Sequence, residues 1–157
     1  MRKRIIGTHA AKANSLSNAQ WLDLAQIATV EVTSEDPGFP IESAFTGNGP
    51  GWRAGTSGEQ QVRLIFDEPI LVRRIQLRFE EPEASRTQEF VLRWSGAGGG
   101  LGAEIVRQQW NFSPHGSIAE VEDYTVDLRN LSELELVIRP DISRNEAIAS
   151  LAAFGIT

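Results

Sequence analysis

Apolar and polar residues alternate with a period of two through most of this chain. Val62, Leu64 and Phe66 share one phase, with Gln61 and Arg63 in the other. Ile75, Leu77 and Phe79 alternate with Arg74, Gln76 and Arg78, and Phe90, Leu92 and Trp94 alternate with Glu89 and Arg93. Tyr124, Val126 and Leu128 interleave with Asp123, Thr125 and Asp127, as Leu134, Leu136 and Ile138 do with Glu133, Glu135 and Arg139. Successive side chains of a strand point to opposite faces, so each run predicts a strand buried on one side and wet on the other. Turn formers separate the runs: Asp36-Pro37-Gly38, residues 47–51, Asp67-Glu68-Pro69 and Glu80-Glu81-Pro82-Glu83. No long segment with a 3.6-residue period follows residue 30. The pattern predicts an all-β protein, an antiparallel β-sandwich or barrel.

Residues 1–26 read differently, as an N-terminal extension or strap. Residues 15–26 suit a short capped helix or a strap anchored by Trp21, Leu22 and Leu24. The body is residues 27–157. The glycine-rich stretch 95–102 invites comparison with a phosphate-binding loop, but no Lys-Ser/Thr pair follows it. Residues 104–108 read as a further strand, so the helix N-terminus that such a loop needs is missing. A flexible hairpin connection is the reading that remains.

With 157 residues the chain is one domain, long enough to bury a core without staples. It has 41% hydrophobic and 23% charged residues, ordinary globular values. The 21 acids outnumber the 15 bases for a net charge of −6, which speaks against a broad nucleic-acid surface. Cysteine is absent, so disulfides, thiolate catalysis and cysteine zinc sites are excluded. No apolar run approaches the ~20 residues of a membrane span. The basic start at Arg2, Lys3 and Arg4 is not followed by a sustained apolar segment, so a cytoplasmic product is the default, with an extracellular one left open.

Residues 43–53 (Ser-Ala-Phe-Thr-Gly-Asn-Gly-Pro-Gly-Trp-Arg), the strand-like 58–69 and 72–77, and the closing 149–156 resemble the discoidin, or coagulation-factor C-type, domains in order and spacing. Residues 110–117 with Glu122, Asp123 and Tyr124 resemble a bacterial, carbohydrate-binding branch of those modules. The resemblance covers about residues 27–156. It implies the galactose-binding-like jelly roll and a lectin-like role with a glycan as ligand. The family's Asp before Gly47 is Thr46 here, and its Glu in the last strand is Ala153. Relatives often use both for calcium, so no metal and no other cofactor is expected, and the loop should be held by its own hydrogen bonds and by Trp52.

Candidate chemistry is sparse. His9 and His115 are far apart in sequence and fit no metal-protease spacing, and Gly55-Thr56-Ser57-Gly58 is not a nucleophile elbow. The carboxylate groups at 80–83 and at Glu120, Glu122 and Asp123 read as solvated edges and turns. A binding module suits the chain better than an enzyme, because sugars are held by aromatic faces and planar polar groups on loops of a rigid scaffold. The candidates are Trp110, Asn111 and His115 at the end of one strand, Arg139, Asp141, Arg144 and Asn145 at the end of another, and Arg53. Val106, Gln108, Trp110 and Phe112 share one phase, so those two rings are either core or ligand contacts. Trp52 and Trp94 read as core. Each charged candidate is either a ligand contact or a turn cap or screened surface charge. The alternative partner is another protein, or a second copy of this chain.

Overall fold

The structure, a computed structural model, describes residues 20–99 and 102–157. The expectations for residues 1–19, and for residues 100 and 101 of the glycine-rich stretch, lie outside the described residues. Among the described residues two short helices and eight strands follow in order: α1 Leu24–Ile27, β1 Ala28–Val32, α2 Ile41–Thr46, β2 Trp52–Arg53, β3 Gln60–Glu80, β4 Arg86–Gly96, β5 Ala103–Phe112, β6 Ala119–Arg139, β7 Ser150–Leu151 and β8 Ala153–Ile156. All pairings are antiparallel. The main sheet runs β1-β3-β6-β4-β5 with β8 also on β3, and β2 pairs β7.

Two strands exceed the expected runs. β3 passes straight through Asp67, Glu68 and Pro69, which read as a turn from sequence, and β6 passes through Asn130. Each has 21 residues, about 70 Å if fully extended. Yet Glu59, just before β3, lies 3.6 Å from Arg139 at the end of β6. Glu81, just after β3, is joined by the Arg86 side chain to the carbonyl of Pro140, just after β6. Both ends of β3 therefore sit at one end of the molecule, and the strand folds back on itself. The corner shows as register shifts between Ile65 and Arg74 and as Asn130 in the left-handed region at φ 55°. Irregularities of this kind bend a strand and sharpen its twist.

Folding over makes two layers from one ladder. The first half of β3 and the last part of β6 lie with β1, β4 and β5; the second half of β3 and the first part of β6 lie with β8. The inward phase is the one the alternation marks: Val62, Leu64, Ile75, Leu77, Phe79, Phe90, Leu92, Leu134, Leu136 and Ile138 are buried between them. Phe79 and Phe90 meet across the layers with ring centres 5.2 Å apart. Trp94 is half-buried against the same core, and Phe112 is inside it.

Trp52 is 1% exposed and donates its indole N–H to the carbonyl of Ser34 at 3.2 Å, so it is the plug its loop implied. Gly51, in front of it, has φ +83°, and a Cβ there would meet the carbonyl oxygen of Leu151 at 2.6 Å. Only glycine suits that position. Of the N-terminal anchors, Leu24 is buried, the Leu22 N–H bonds the Ile156 carbonyl at 2.9 Å, and the Trp21 ring lies 5.2 Å from the Arg74 guanidinium. No helix among the described residues is long and apolar enough to cross a membrane.

Candidate functional site

Because β3 and β6 fold back, the connections 54–59, 81–85, 113–118 and 140–149 come to one end. The last of these is a built loop. The Asp141 carboxylate accepts from the Ser143 N–H at 3.1 Å and from Asn145 Nδ2 at 2.7 Å, and Asn145 Oδ1 accepts from the Ala147 N–H at 2.9 Å. Asp141 is 7% exposed, and the Ser143 N–H, then the Asn145 amide, hold its carboxyl below the usual range against the pull of burial. Arg144 sits in the left-handed region at φ 54° and is exposed. The Ile142 N–H bonds the Thr87 carbonyl at 2.9 Å, which ties the loop to β4.

This loop walls a cavity of about 370 Å3 lined by Gly58, Glu59, Arg139, Pro140, Asp141, Arg144 and Asn145. Four of the candidate residues, Arg139, Asp141, Arg144 and Asn145, are thus brought together. Arg139 lies 3.6 Å from Glu59 and 3.7 Å from Glu89. Arg53 is elsewhere: its guanidinium stacks 4.7 Å from the Phe39 ring and lines a neighbouring cavity of about 290 Å3 with Glu80, Glu81, Arg86, Ile148 and Ser150 among others.

The segment after β5 divides. Phe112 is core, and Trp110 is half-buried against it with its indole N–H donated to Ser117 Oγ at 3.1 Å. Asn111 Oδ1 accepts from Thr87 Oγ1 at 2.7 Å, so Asn111 and the Asp141 loop share one residue of β4. His115 is exposed on the turn closed by the Gly116 N–H to the Ser113 carbonyl, and it lines neither cavity.

Underneath runs a polar chain that the sequence reading missed. Arg86 donates from Nε to Glu81 Oε1 at 2.8 Å, and from Nη1 to the Pro140 carbonyl at 2.7 Å and to Gln88 Oε1 at 3.2 Å. Gln88 Nε2 donates to Glu120 Oε1 at 3.3 Å. Burial pushes the Glu81 carboxyl up, but the bonds from Arg86 and from the Glu83 N–H outweigh it and hold the group low. Glu120, expected on a solvated edge, is instead fully buried, and its Oε2 has no hydrogen-bond partner among the described residues. Desolvation first, then Glu122 beside it, raises its carboxyl to about 8. The signal was in the alternation: Glu120 is in phase with Tyr124, Val126 and Leu128, and Arg86 and Gln88 are in phase with Phe90 and Leu92. Glu59 was missed too, for it precedes the first alternating residue.

The residues present do not fit the calcium site of the resembling domains. Ser43 Oγ accepts from the Gly51 N–H at 2.9 Å, Thr46 Oγ1 donates to the Ser43 carbonyl at 3.2 Å, and Ala153 is buried. The hydroxyls of Ser43 and Thr46 are neutral and already bonded to the loop's own backbone, and Asn48 adds only a neutral amide, whereas calcium takes several oxygens, carboxylates among them. No group of three or more His, Cys, Asp or Glu among the described residues could hold a metal ion.

No protein-family model matches the chain, and no curated protein matches it in sequence. Solved structures do match. The family 32 carbohydrate-binding module from C. perfringens NanJ, in complex with galactose, superposes with a TM-score of 0.62 at 15% identity, over 87% of this chain and 96% of that one. The same type of module from AlyQ, in complex with 4,5-unsaturated mannuronic acid, gives 0.60 at 16% identity over 88% and 98%. An F5/8 type C domain from Bacteroides fragilis gives 0.58 at 13% over 90% and 97%. The chain has the jelly-roll fold of the discoidin-like domains and family 32 modules.

Proposed function

We propose that this chain is a non-catalytic carbohydrate-binding module whose ligand occupies the cavity beneath the 140–149 loop. The observation that carries the reading is the convergence of Glu59, Arg139 and Arg144 on one concave site at the loop end of a jelly roll. Its volume falls in the range of small-molecule sites. Solved modules of the same fold include binders of galactose, pectin and chitosan, which supports the class of ligand. Asp141 and Asn145 act as the latch that shapes the wall, and Arg139 and Arg144 supply donors to the ligand. A glycan-array screen of the full chain tests this, followed by Arg139→Ala, which should weaken binding about tenfold or more, as expected for a lost charge-assisted hydrogen bond. Absence of binding to any glycan removes the reading.

A second reading is self-association through the same end, where Ile142 and Ile148 are exposed on the loop. Light scattering on the screened sample reads it directly: a monomer that binds glycan leaves the first reading standing alone.

A further inference from the structure

The hydrogen-bonding capacity still open in the loop-end cavity is lopsided, and that asymmetry names a class of ligand. We infer that the site takes an anionic sugar, a uronic acid residue whose carboxylate sits on Arg144 and Arg139 while a ring hydroxyl meets Glu59; this rests on the carbohydrate reading above.

Consider what each lining group has left. Each oxygen of Asp141 already accepts one bond, from Ser143 or from Asn145, and the Asn145 amide donates one bond to Asp141 and accepts one from Ala147. The carbonyl of Pro140 already receives Arg86. The acceptors of the 140–145 wall are therefore partly engaged within the loop. The cations are less committed. Among the described residues the Arg144 guanidinium has no hydrogen bond and no ion pair. Arg139 has carboxylates only at 3.6 and 3.7 Å, beyond hydrogen-bond reach. One of those neighbours, Glu89, is committed elsewhere: its Oε1 accepts from Arg107 at 3.0 Å and its Oε2 from Gln109 at 3.0 Å.

A neutral sugar offers hydroxyls that must donate as well as accept. Against two guanidinium forks, most of their O–H groups would face other donors. A carboxylate only accepts, and it is planar, so it matches a guanidinium in paired bonds. Glu59, exposed at the rim, adds an acceptor for a hydroxyl of the same ring. One acid group and one hydroxyl on one ring describe a uronic acid. The chain's net charge of −6 opposes anions at long range, but that field is screened over about 8–10 Å in physiological salt, so the discrimination is local.

The test is titration calorimetry of the full chain with short oligouronates (galacturonate, mannuronate and glucuronate), each paired with its fully methyl-esterified form, and with a sulfated neutral oligosaccharide. At least one acid form should bind about tenfold or more tightly than its ester. Arg144→Gln should erase that difference, weakening the acid form far more than the ester, and Arg144, exposed and without side-chain partners, can be changed without unfolding the chain. Equal affinity for acid and ester, or an unchanged preference in Arg144→Gln, overturns the inference. Sulfated sugar bound as tightly as the best uronate overturns its carboxylate part. Neutral glycans bound while every uronate fails would sink the inference alone, whereas no glycan bound at all would sink the carbohydrate reading itself.

Discussion

Arg86 lays its guanidinium 4.8 Å from the ring of Phe112, so the last residue of β5 and the first residue of β4 are fastened together beneath the 140–149 loop. The same guanidinium reaches Glu81, Gln88 and the Pro140 carbonyl. One buried side chain thereby joins two of the connections that meet at the loop end to the adjoining ends of β4 and β5.

Removing that cation should be costly. Arg86→Met keeps an apolar stem over Phe112 but strands Glu81, Gln88 and Pro140, and breaking a buried pair from one side typically costs about 3–5 kcal/mol. Urea denaturation should show a loss of that order. Arg86→Lys should recover only part of it, because a compact ammonium lacks the planar fork that reaches Glu81, Gln88 and Pro140 at once. A loss below about 1 kcal/mol in Arg86→Met would show that the pair behaves like an exposed one.

Stability should also depend on pH in an unusual direction. Glu120 is protonated in the folded chain up to about 8, against 4.5 when free, because burial and then the neighbouring Glu122 disfavour its charge. Between those values the folded state holds a proton that the unfolded state has released. Its contribution is complete below pH 4.5 and is lost as pH rises through the window toward 8, with a slope of at most about 1.4 kcal/mol per pH unit. Asp141, Glu81 and Asp123, held low by their partners, act oppositely and lose their contribution in acid. The melting temperature should peak in mildly acidic solution and fall toward pH 8. Glu120→Gln, which cannot ionise, should flatten the fall; a fall of the same size in that variant would assign it to other groups.

The Asp141 latch gives a prediction that separates binding from folding. Asp141→Ala frees the Ser143 N–H and the Asn145 amide, and each bond to a charged acceptor contributes about 1.5–3 kcal/mol. The loop is surface-facing and water can replace those bonds, so the net loss of stability should fall near 1–2 kcal/mol, while affinity for any glycan ligand should drop by tenfold or more as Arg144 loses its set position. Asp141→Asn, which can still accept from Ser143, should retain part of both. Full affinity in Asp141→Ala would mean that the wall is not shaped by this carboxylate.

How far the sequence carried these conclusions depends on what each residue's phase could encode. Val62 to Phe66, Ile75 to Phe79 and Leu134 to Ile138 announced themselves, because a buried face writes itself every second position. The merging of two runs into one bent β3 was not legible: Asp67, Glu68 and Pro69 have turn chemistry, and here they make a corner within a strand. Arg139, Asp141, Arg144 and Asn145, which line one cavity, could be singled out because they end a strand or follow it closely. Trp110 and His115 were drawn in by composition; the one packs against the core, and the other is exposed and does not line the cavity. Arg86, Gln88 and Glu120 were passed over although their phase is inward, since polar residues on a core face look like errors in the pattern until a partner is seen for each. Thirty-two residues separate Gln88 from Glu120, and only the folded sheet brings them together.

Calcium provides the last prediction. The loop from Ala44 to Trp52 corresponds to the ion-binding loop of the resembling domains, but here it closes on itself: Ser43 Oγ receives the Gly51 N–H, Thr46 Oγ1 bonds back to the Ser43 carbonyl, and Trp52 is anchored to Ser34. Ligand charge count is one of the main settings of calcium affinity, and Thr46 and Ala153 remove two carboxylates. An ion held at 100 times its dissociation constant would add about 2.7 kcal/mol of stability. For a domain of this size that is a rise of several degrees in melting temperature. Thermal unfolding in millimolar calcium and in excess chelator should therefore coincide. Restoring charge with Thr46→Asp alone should not create a difference, because Ala153 still offers no side-chain oxygen; the Thr46→Asp, Ala153→Glu pair is the smallest change that could. A calcium-dependent rise in the unaltered chain would show that other oxygens, with Glu42 and Glu146 the nearest carboxylates in sequence, have assembled around the ion.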